Sequence, residues 1–254
     1  MIGAIIDDSI RYALTKFSHI HFPASEESAD RILNLGEEEW RVRISGAPGL
    51  DAILKGDYVA GNKMKEELGI SDEEKLVLCV QHPVTTQPEE AGEQMKMTLD
   101  AIRDVDAVPV LIYPNSDAGG KEMIQVLENH PIQDELTSFR NLSREKYLGL
   151  MDAADVMVGN SSSGIIEATS FDLPVVDIGP REARRQRAEN VVSVPHETEA
   201  IREAVTDGLY DENLRETARD SENPYDYGGA GERIAEFLAE IPIDENLLRK
   251  NITY

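Results

Sequence analysis

Between Gly159 and Glu167 the chain reads Gly-Asn-Ser-Ser-Ser-Gly-Ile-Ile-Glu, a set of residue types suited to holding a phosphorylated sugar or nucleotide. Asp155-Val-Met-Val158 ahead of it reads as a strand, and the residues up to Phe171 read as a helix. The backbone N–H groups of a first helical turn have no intrahelical partner and sit at the positive end of the helix dipole, which suits a phosphate. Asn160, Ser161, Ser162 and Gly164 would line that turn. Glu167, six residues beyond Ser161, would offer a carboxylate to ribose hydroxyls. The same residues are also ordinary N-caps, and Glu167 could be a solvated helix carboxylate, so the segment alone leaves both readings open.

Three further turns end on strand-like runs. Gln81-His-Pro-Val-Thr-Thr86 follows an apolar run, and the carboxyl ends of parallel strands line ligand crevices, so His82 could donate to a phosphate or polarise a leaving oxygen. A structural histidine is the bland alternative. Tyr113-Pro-Asn-Ser-Asp-Ala-Gly-Gly120 would put Asn115 near the same crevice, or serve only to reverse the chain. Gly179-Pro-Arg181 begins a basic cluster, Arg181, Arg184, Arg185 and Arg187, whose guanidinium forks match phosphate geometry. Asp7 and Arg11 lie one helical turn apart and would form a simple ion pair; His19 and His21 show no metal-ligand spacing, and no metal is expected.

The elements that must position these groups alternate. Candidate strands are 41–44, 76–80, 108–113, 155–158, 174–178 and 191–194, mostly continuous apolar runs of the kind covered on both faces. Helical patterns fall near 7–17, 26–35, 89–105, 119–129, 143–153, 164–171, 197–207, 211–219 and 229–240. Strand–helix–strand repetition predicts an α/β fold with a doubly wound parallel sheet. A boundary is expected between Pro48 and Asp72, with too little before it for a separate sheet.

Composition narrows the function classes. Asp plus Glu number 49 against 25 Lys plus Arg, a formal net charge of −24, and such a field repels nucleic acid backbones. The acids are spread along the chain, which suggests adaptation to high salt, where screening removes self-repulsion. With no apolar run of membrane-spanning length and no basic-then-apolar leader at Met1, a cytoplasmic protein without membrane or nucleic acid partners is expected. The single cysteine, Cys79, lies in an apolar run and reads as a small buried hydrophobe.

An ordered set of motifs carries a resemblance: Asp7-Asp-Ser-Ile-Arg11 with Thr15, Lys16 and His19, then Gly46-Ala-Pro-Gly-Leu-Asp51, then Gln81–Thr86 and Tyr113–Gly119. It continues through Gly159–Glu167, Asp177-Ile-Gly-Pro-Arg181 and Asn223-Pro-Tyr225. In these the chain resembles the hydrolysing UDP-N-acetylglucosamine 2-epimerases of the sialic-acid type. The resemblance implies two doubly wound domains in a GT-B-like arrangement, with 1–58 a remnant of the N-terminal Rossmann-like domain and 59–254 the nucleotide-binding domain with its C-terminal helices. It implies that Asn160, Ser161, Ser162 and Gly164 hold the diphosphate of UDP, Glu167 the ribose, and backbone near Leu142 the uracil. Asn115 and Arg181 would support the nucleotide, with His82 at the sugar–phosphate region and Asp7 and Arg11 as further catalytic candidates. The implied chemistry is C2 deprotonation, elimination of UDP and addition of water to release N-acetylmannosamine, with no cofactor.

Two departures qualify it. Full-length relatives carry a large portion upstream of the part matching Met1, with acidic residues linked to proton transfer, and Tyr12 stands where a histidine is usual. The chain alone is therefore expected to be weakly active or inactive, and a homodimer is expected only if the upstream part is supplied. A 2-acetamido relative such as a diacetylated bacillosamine is an alternative sugar. The alternatives to the hydrolysing reaction are the non-hydrolysing epimerase, a non-catalytic UDP-sugar-binding fragment and, more distantly, a GT-B glycosyltransferase; the residues after His82 resemble the hydrolysing branch.

Overall fold

The computed structural model describes residues 6–253. Its strands are β1 (Leu76–Val80), β2 (Val108–Ile112), β3 (Thr137–Phe139), β4 (Val156–Gly159), β5 (Val175–Ile178) and β6 (Val191–Val194). The helices are α1 (Ile6–Phe17), α2 (Glu26–Asn34), α3 (Asp51–Leu54), α4 (Gly61–Leu68), α5 (Ala91–Arg103), α6 (Gly120–Asn129) and α7 (Arg144–Ala153). They continue as α8 (Ser162–Ile166), α9 (Thr198–Tyr210), α10 (Glu212–Asp220), α11 (Ala230–Glu240) and α12 (Glu245–Leu248). None of the described helices is long and apolar enough to cross a membrane.

Two compact units emerge, one spanning Asp57–Asn223 and the other built from Ile6–Gly56 together with the chain from Pro224 onward. The first holds a six-stranded sheet in the order β3-β2-β1-β4-β5-β6, every neighbouring pair parallel. Parallel strands need crossovers that cover both faces, and the sequence answers with unbroken apolar runs. All five residues of β1 and all four of β4 and of β5 are buried. Met95 and Leu99 of α5, Met123 and Leu127 of α6, and Ile201, Val205 and Leu209 of α9 belong to the core cluster that packs with these strands. Cys79 is buried in β1, where loss of solvent pushes its thiol up to about 12.

The strand order reverses between β1 and β4, which opens a crevice at their carboxyl ends. One glycine makes that geometry possible. Gly159 ends β4 with φ of +136°, and a Cβ there would stand 2.1 Å from the Val80 carbonyl oxygen. Any side chain would push the two strand ends apart.

The structure departs from the sequence reading in four places. The run 41–44 is not a sheet strand: Glu39–Arg41 winds into a 3-10 turn, and only a single parallel bridge joins His21 to Val42. Arg41 explains it, because its fully buried guanidinium draws the backbone inward and donates to the carbonyls of His19, Asn246, Leu247 and Arg249. Strand β3 was invisible as Thr-Ser-Phe, a half-buried edge strand with no apolar run. The helix expected over 164–171 is instead α8 followed by a 3-10 turn over Ala168–Phe171. Lastly, α11 and α12 group with Ile6–Gly56, whereas α10 stays with the sheet. Asp51 accepts from the Ala230 and Gly231 N–H groups at 2.8 Å each, capping α11, and Lys250 Nζ donates to the Ser18 carbonyl at 2.6 Å and pairs with buried Glu37.

Candidate functional site

The loops after β1, β2, β4 and β5 converge at the crevice and are laced together by named hydrogen bonds. Asn160, the residue after β4, is buried and accepts from the His82 N–H at 2.7 Å while donating through Nδ2 to the His82 carbonyl at 2.9 Å. That reciprocal pair locks the turn after β4 to the turn after β1. Arg181, after β5, donates Nη1 to the Asn160 carbonyl at 2.9 Å and to Glu182 at 2.8 Å. Asn115, after β2, donates its backbone N–H to His82 Nδ1 at 3.2 Å. His82, Asn160, Arg181 and Asn115 thus form one connected group.

Because Nδ1 of His82 accepts a hydrogen bond, the neutral ring carries its proton on Nε2. Burial, reinforced by the Arg181 charge, pushes the imidazole down to about 4 against a weaker upward pull from Asp117. His82 is therefore a neutral N–H donor at physiological pH, suited to an anionic oxygen and unsuited to act as a cationic acid. The Asn115 side chain closes an Asx turn: Nδ2 donates to Asp117 at 2.7 Å, and Oδ1 accepts from the Asp117 N–H at 3.3 Å.

Around Ser161 the hydroxyls are organised internally. Ser161 is the N-cap of α8, and its Oγ accepts from the Ser163 N–H and lies 2.8 Å from Ser163 Oγ. Ser162 and Ser163 are half-buried, whereas Gly164 is buried, and a Cβ at Gly164 would approach Val175 at 3.0 Å. With α8 only five residues long, the macrodipole expected from a two-turn helix is curtailed.

Glu167 is buried and ion-paired with Arg144 of α7. That pairing was not foreseen, and it orients the carboxylate at the end of α8. Leu142 lies half-buried in the loop between β3 and α7, just ahead of the α7 N-cap Ser143. The expected basic cluster is partly neutralised, since Arg185 pairs with Glu182, and Arg187 pairs with Asp177 at 2.8 Å. Burial, aided by the charge of Glu182, raises the Asp177 carboxyl to about 6 despite Arg187. Four arginines against two carboxylates between 177 and 187 still leave this edge cationic in an acidic chain.

Asp7 and Arg11 belong to α1 in the other unit. The Asp7 side chain lies outside the described residues, and Arg11 is exposed. Sequence reasoning passed over Arg144, Tyr147 and Gln81. Gln81 is fully buried with neither amide atom hydrogen-bonded, beside His82 at the end of β1. Its burial was not visible in a polar residue adjoining an apolar run.

The arrangement offers neutral and cationic donors converging on one crevice, which is chemistry for gripping a phosphorylated ligand. The chain as a whole is similar to known proteins. The chain is 32% identical over 252 residues to a UDP-N,N'-diacetylbacillosamine 2-epimerase (hydrolyzing) from Legionella pneumophila, covering 98% of this chain and 65% of the relative. It is 30% identical over 241 residues to a UDP-N-acetylglucosamine 2-epimerase from Neisseria meningitidis, covering 93% and 62%. The chain thus spans less than two thirds of the length of these relatives. The crystal structure of UDP-GlcNAc 2-epimerase from Neisseria meningitidis bound to UDP-GlcNAc superposes with a TM-score of 0.72 at 21% identity, over 89% of this chain and 63% of that one. The family profile described as UDP-N-acetylglucosamine 2-epimerase matches residues 3–239, and with so nearly complete a match the chain belongs to that family.

Proposed function

We propose that the Asp57–Asn223 unit binds the UDP part of a UDP-2-acetamido sugar at the β1/β4 crevice, and that the protein takes part in hydrolytic 2-epimerisation of that sugar. The observation that carries this reading is the connected group of His82, Asn160 and Arg181 across the strand ends where the sheet order reverses. Such switch points are where open parallel sheets take up nucleotides.

In this reading the α8 amides with the Ser161 and Ser162 hydroxyls grip the diphosphate, and Arg181 neutralises it. Glu167, oriented by Arg144, accepts from the ribose hydroxyls, and Leu142 and its neighbours border the base. The His82 Nε2–H donates to the bridging phosphate oxygen as UDP departs, stabilising charge that develops only in the transition state. The C2 base is a separate matter. Glu167, Asp177 and Glu182 are each committed to an arginine, so none of these three could act as the base without first breaking an ion pair. Asp7 is the proposed acid/base carboxylate, and Arg11 a further catalytic candidate.

The hydrolytic outcome is favoured by Gln81-His-Pro-Val-Thr-Thr86 and by the hydrolysing activity for which the Legionella relative is named, and a diacetylated bacillosamine or N-acetylglucosamine nucleotide is the proposed substrate. A second reading, UDP-sugar binding without turnover, is favoured by the ion pairs that occupy Glu167, Asp177 and Glu182. Incubation with UDP-N-acetylglucosamine followed by NMR separates them. Free UDP with N-acetylmannosamine supports hydrolysis, and an intact epimerised nucleotide overturns it. Calorimetry detecting no UDP uptake by folded protein would defeat both readings.

A further inference from the structure

Helix α1 is 12 residues long, and a helix of that length is marginal in water unless something outside it holds it. Burial of an apolar face does not supply that hold. Ile10, Leu14 and Phe17 share one stripe of the helix, yet all three are exposed, as is every residue from Ser9 to Leu14. The hold comes at the C-terminal end, from two lysines. The Lys250 ammonium donates to the carbonyls of Thr15 at 2.8 Å, Lys16 at 3.2 Å and Ser18 at 2.6 Å. A last helical turn leaves its carbonyls without intrahelical partners and carries partial negative charge, so a cation is favoured there. The same nitrogen lies 2.6 Å from Oε2 of Glu37, a buried carboxylate whose Oε1 takes Lys16 Nζ at 3.1 Å. Glu37 thus binds one lysine from within α1 and another that caps α1 from outside. Lys250 is itself held in place from both sides. Arg41 donates to the carbonyls of Asn246, Leu247 and Arg249, and the Thr253 N–H donates to the Gly36 carbonyl at 3.0 Å.

We propose that Lys250 is a positioning residue: it anchors α1, and through that anchor it sets the helix carrying Asp7 and Arg11 for the chemical step. The positioning role rests on the acid/base part proposed above for Asp7, whereas the anchor is independent of it. Binding and chemistry then depend on Lys250 differently. The residues proposed to grip UDP belong to the Asp57–Asn223 unit and make no contact with this lysine, so its loss spares nucleotide binding and slows turnover.

The test is hydrogen–deuterium exchange of the full chain, read by mass spectrometry over α1 and, as a control from the same unit, over α2. UDP affinity by calorimetry and turnover of UDP-N-acetylglucosamine accompany it. In Lys250→Met the α1 amides should exchange about tenfold faster or more, because the carbonyls ending α1 and Glu37 lose their shared donor, while α2 keeps its rate. UDP affinity should stay within about twofold of wild type, and kcat should fall about tenfold or more. Glu37→Gln keeps the side chain's size and weakens its hold on both lysines. It should speed α1 exchange likewise, and it carries the test if Lys250→Met does not fold. Unchanged α1 exchange in the folded variant overturns the anchor, and so does an equal rise over α1 and α2, which marks general loosening. Faster α1 exchange with undiminished kcat overturns the positioning role. A wild-type chain that binds UDP and turns nothing over overturns the reaction proposed above rather than the anchor, which the exchange over α1 decides by itself.

Discussion

Removing the Asn160 side chain tests the join between the turns after β1 and β4. Asn160 is only 1% exposed, and its amide makes two hydrogen bonds to the His82 backbone, at 2.7 and 2.9 Å. In Asn160→Ala both are lost, and the His82 N–H and carbonyl are left without protein partners. The bonds made by the Asn160 backbone, to Val80 and from Arg181, persist. A buried backbone group stripped of its partner costs about 1–3 kcal/mol, and because His82 is partly buried some water can return, so the variant should lose about 2–4 kcal/mol. Urea unfolding followed by circular dichroism reads that loss as a lowered midpoint at unchanged slope. UDP affinity should fall about tenfold or more in parallel, since a 1 Å misplacement of a loop can cost far more than a lost contact. A destabilisation under about 0.5 kcal/mol would refute the hydrogen-bond reasoning. Full destabilisation with undiminished UDP uptake would refute the placement of phosphate between these turns.

Other outcomes follow from the same structure. Arg41→Met should destabilise by about 3–5 kcal/mol in urea unfolding, because it strips four carbonyls and Glu38 of the buried guanidinium that serves them all, and Arg41→Lys should recover little of it. The Asp177 carboxyl is raised to about 6 in the folded chain, so folding favours its protonated form; that stability is complete below about pH 3.8 and lost as pH rises through 6. Asp177→Asn should accordingly gain about 3 kcal/mol on wild type between pH 4 and pH 7, and a pH-independent difference would contradict the shift. His82 carries the opposite sign: lowered to about 4, it contributes stability that is complete above about pH 6.5 and lost as pH falls through 4, and its imidazole NMR signals should not titrate above pH 5. The net charge of −24 predicts a thermal midpoint that climbs from dilute buffer to molar KCl; equal midpoints would dismiss salt adaptation.

Much of the fold was legible because its signal is local. The runs of β1, β2, β4 and β5 fall where the sequence reading set them, since strands covered on both faces are apolar nearly throughout, and edge strand β6 does so although its residues are only half-buried or exposed. The helices over 26–34, 120–129 and 144–153 follow their 3.6-residue periodicity and their caps; Ser25 and Ser143, for example, accept from the N–H groups of Ser28 and Lys146. Strand β3 escaped because an edge strand of three half-buried residues draws its definition from pairing with β2, which no local pattern encodes.

The residue types at the crevice were likewise readable: a Ser/Gly turn after one strand, a histidine after another, an arginine after a third. What the sequence by itself determined is that donors of these kinds end successive parallel strands, because strand ends and turns are written in short-range composition. Tertiary structure alone decided which of them remain available. Arg187 is spent on Asp177 and Arg185 on Glu182, while Arg181 reaches across to Asn160. It also decided that Tyr147 and Arg144 stand behind Ser163 and Glu167, and that Arg41, within an apparent strand, is buried to hold the last helix. Each of these is a contact between residues distant along the chain, where distance and burial set the energy, and neither quantity exists until the chain has folded.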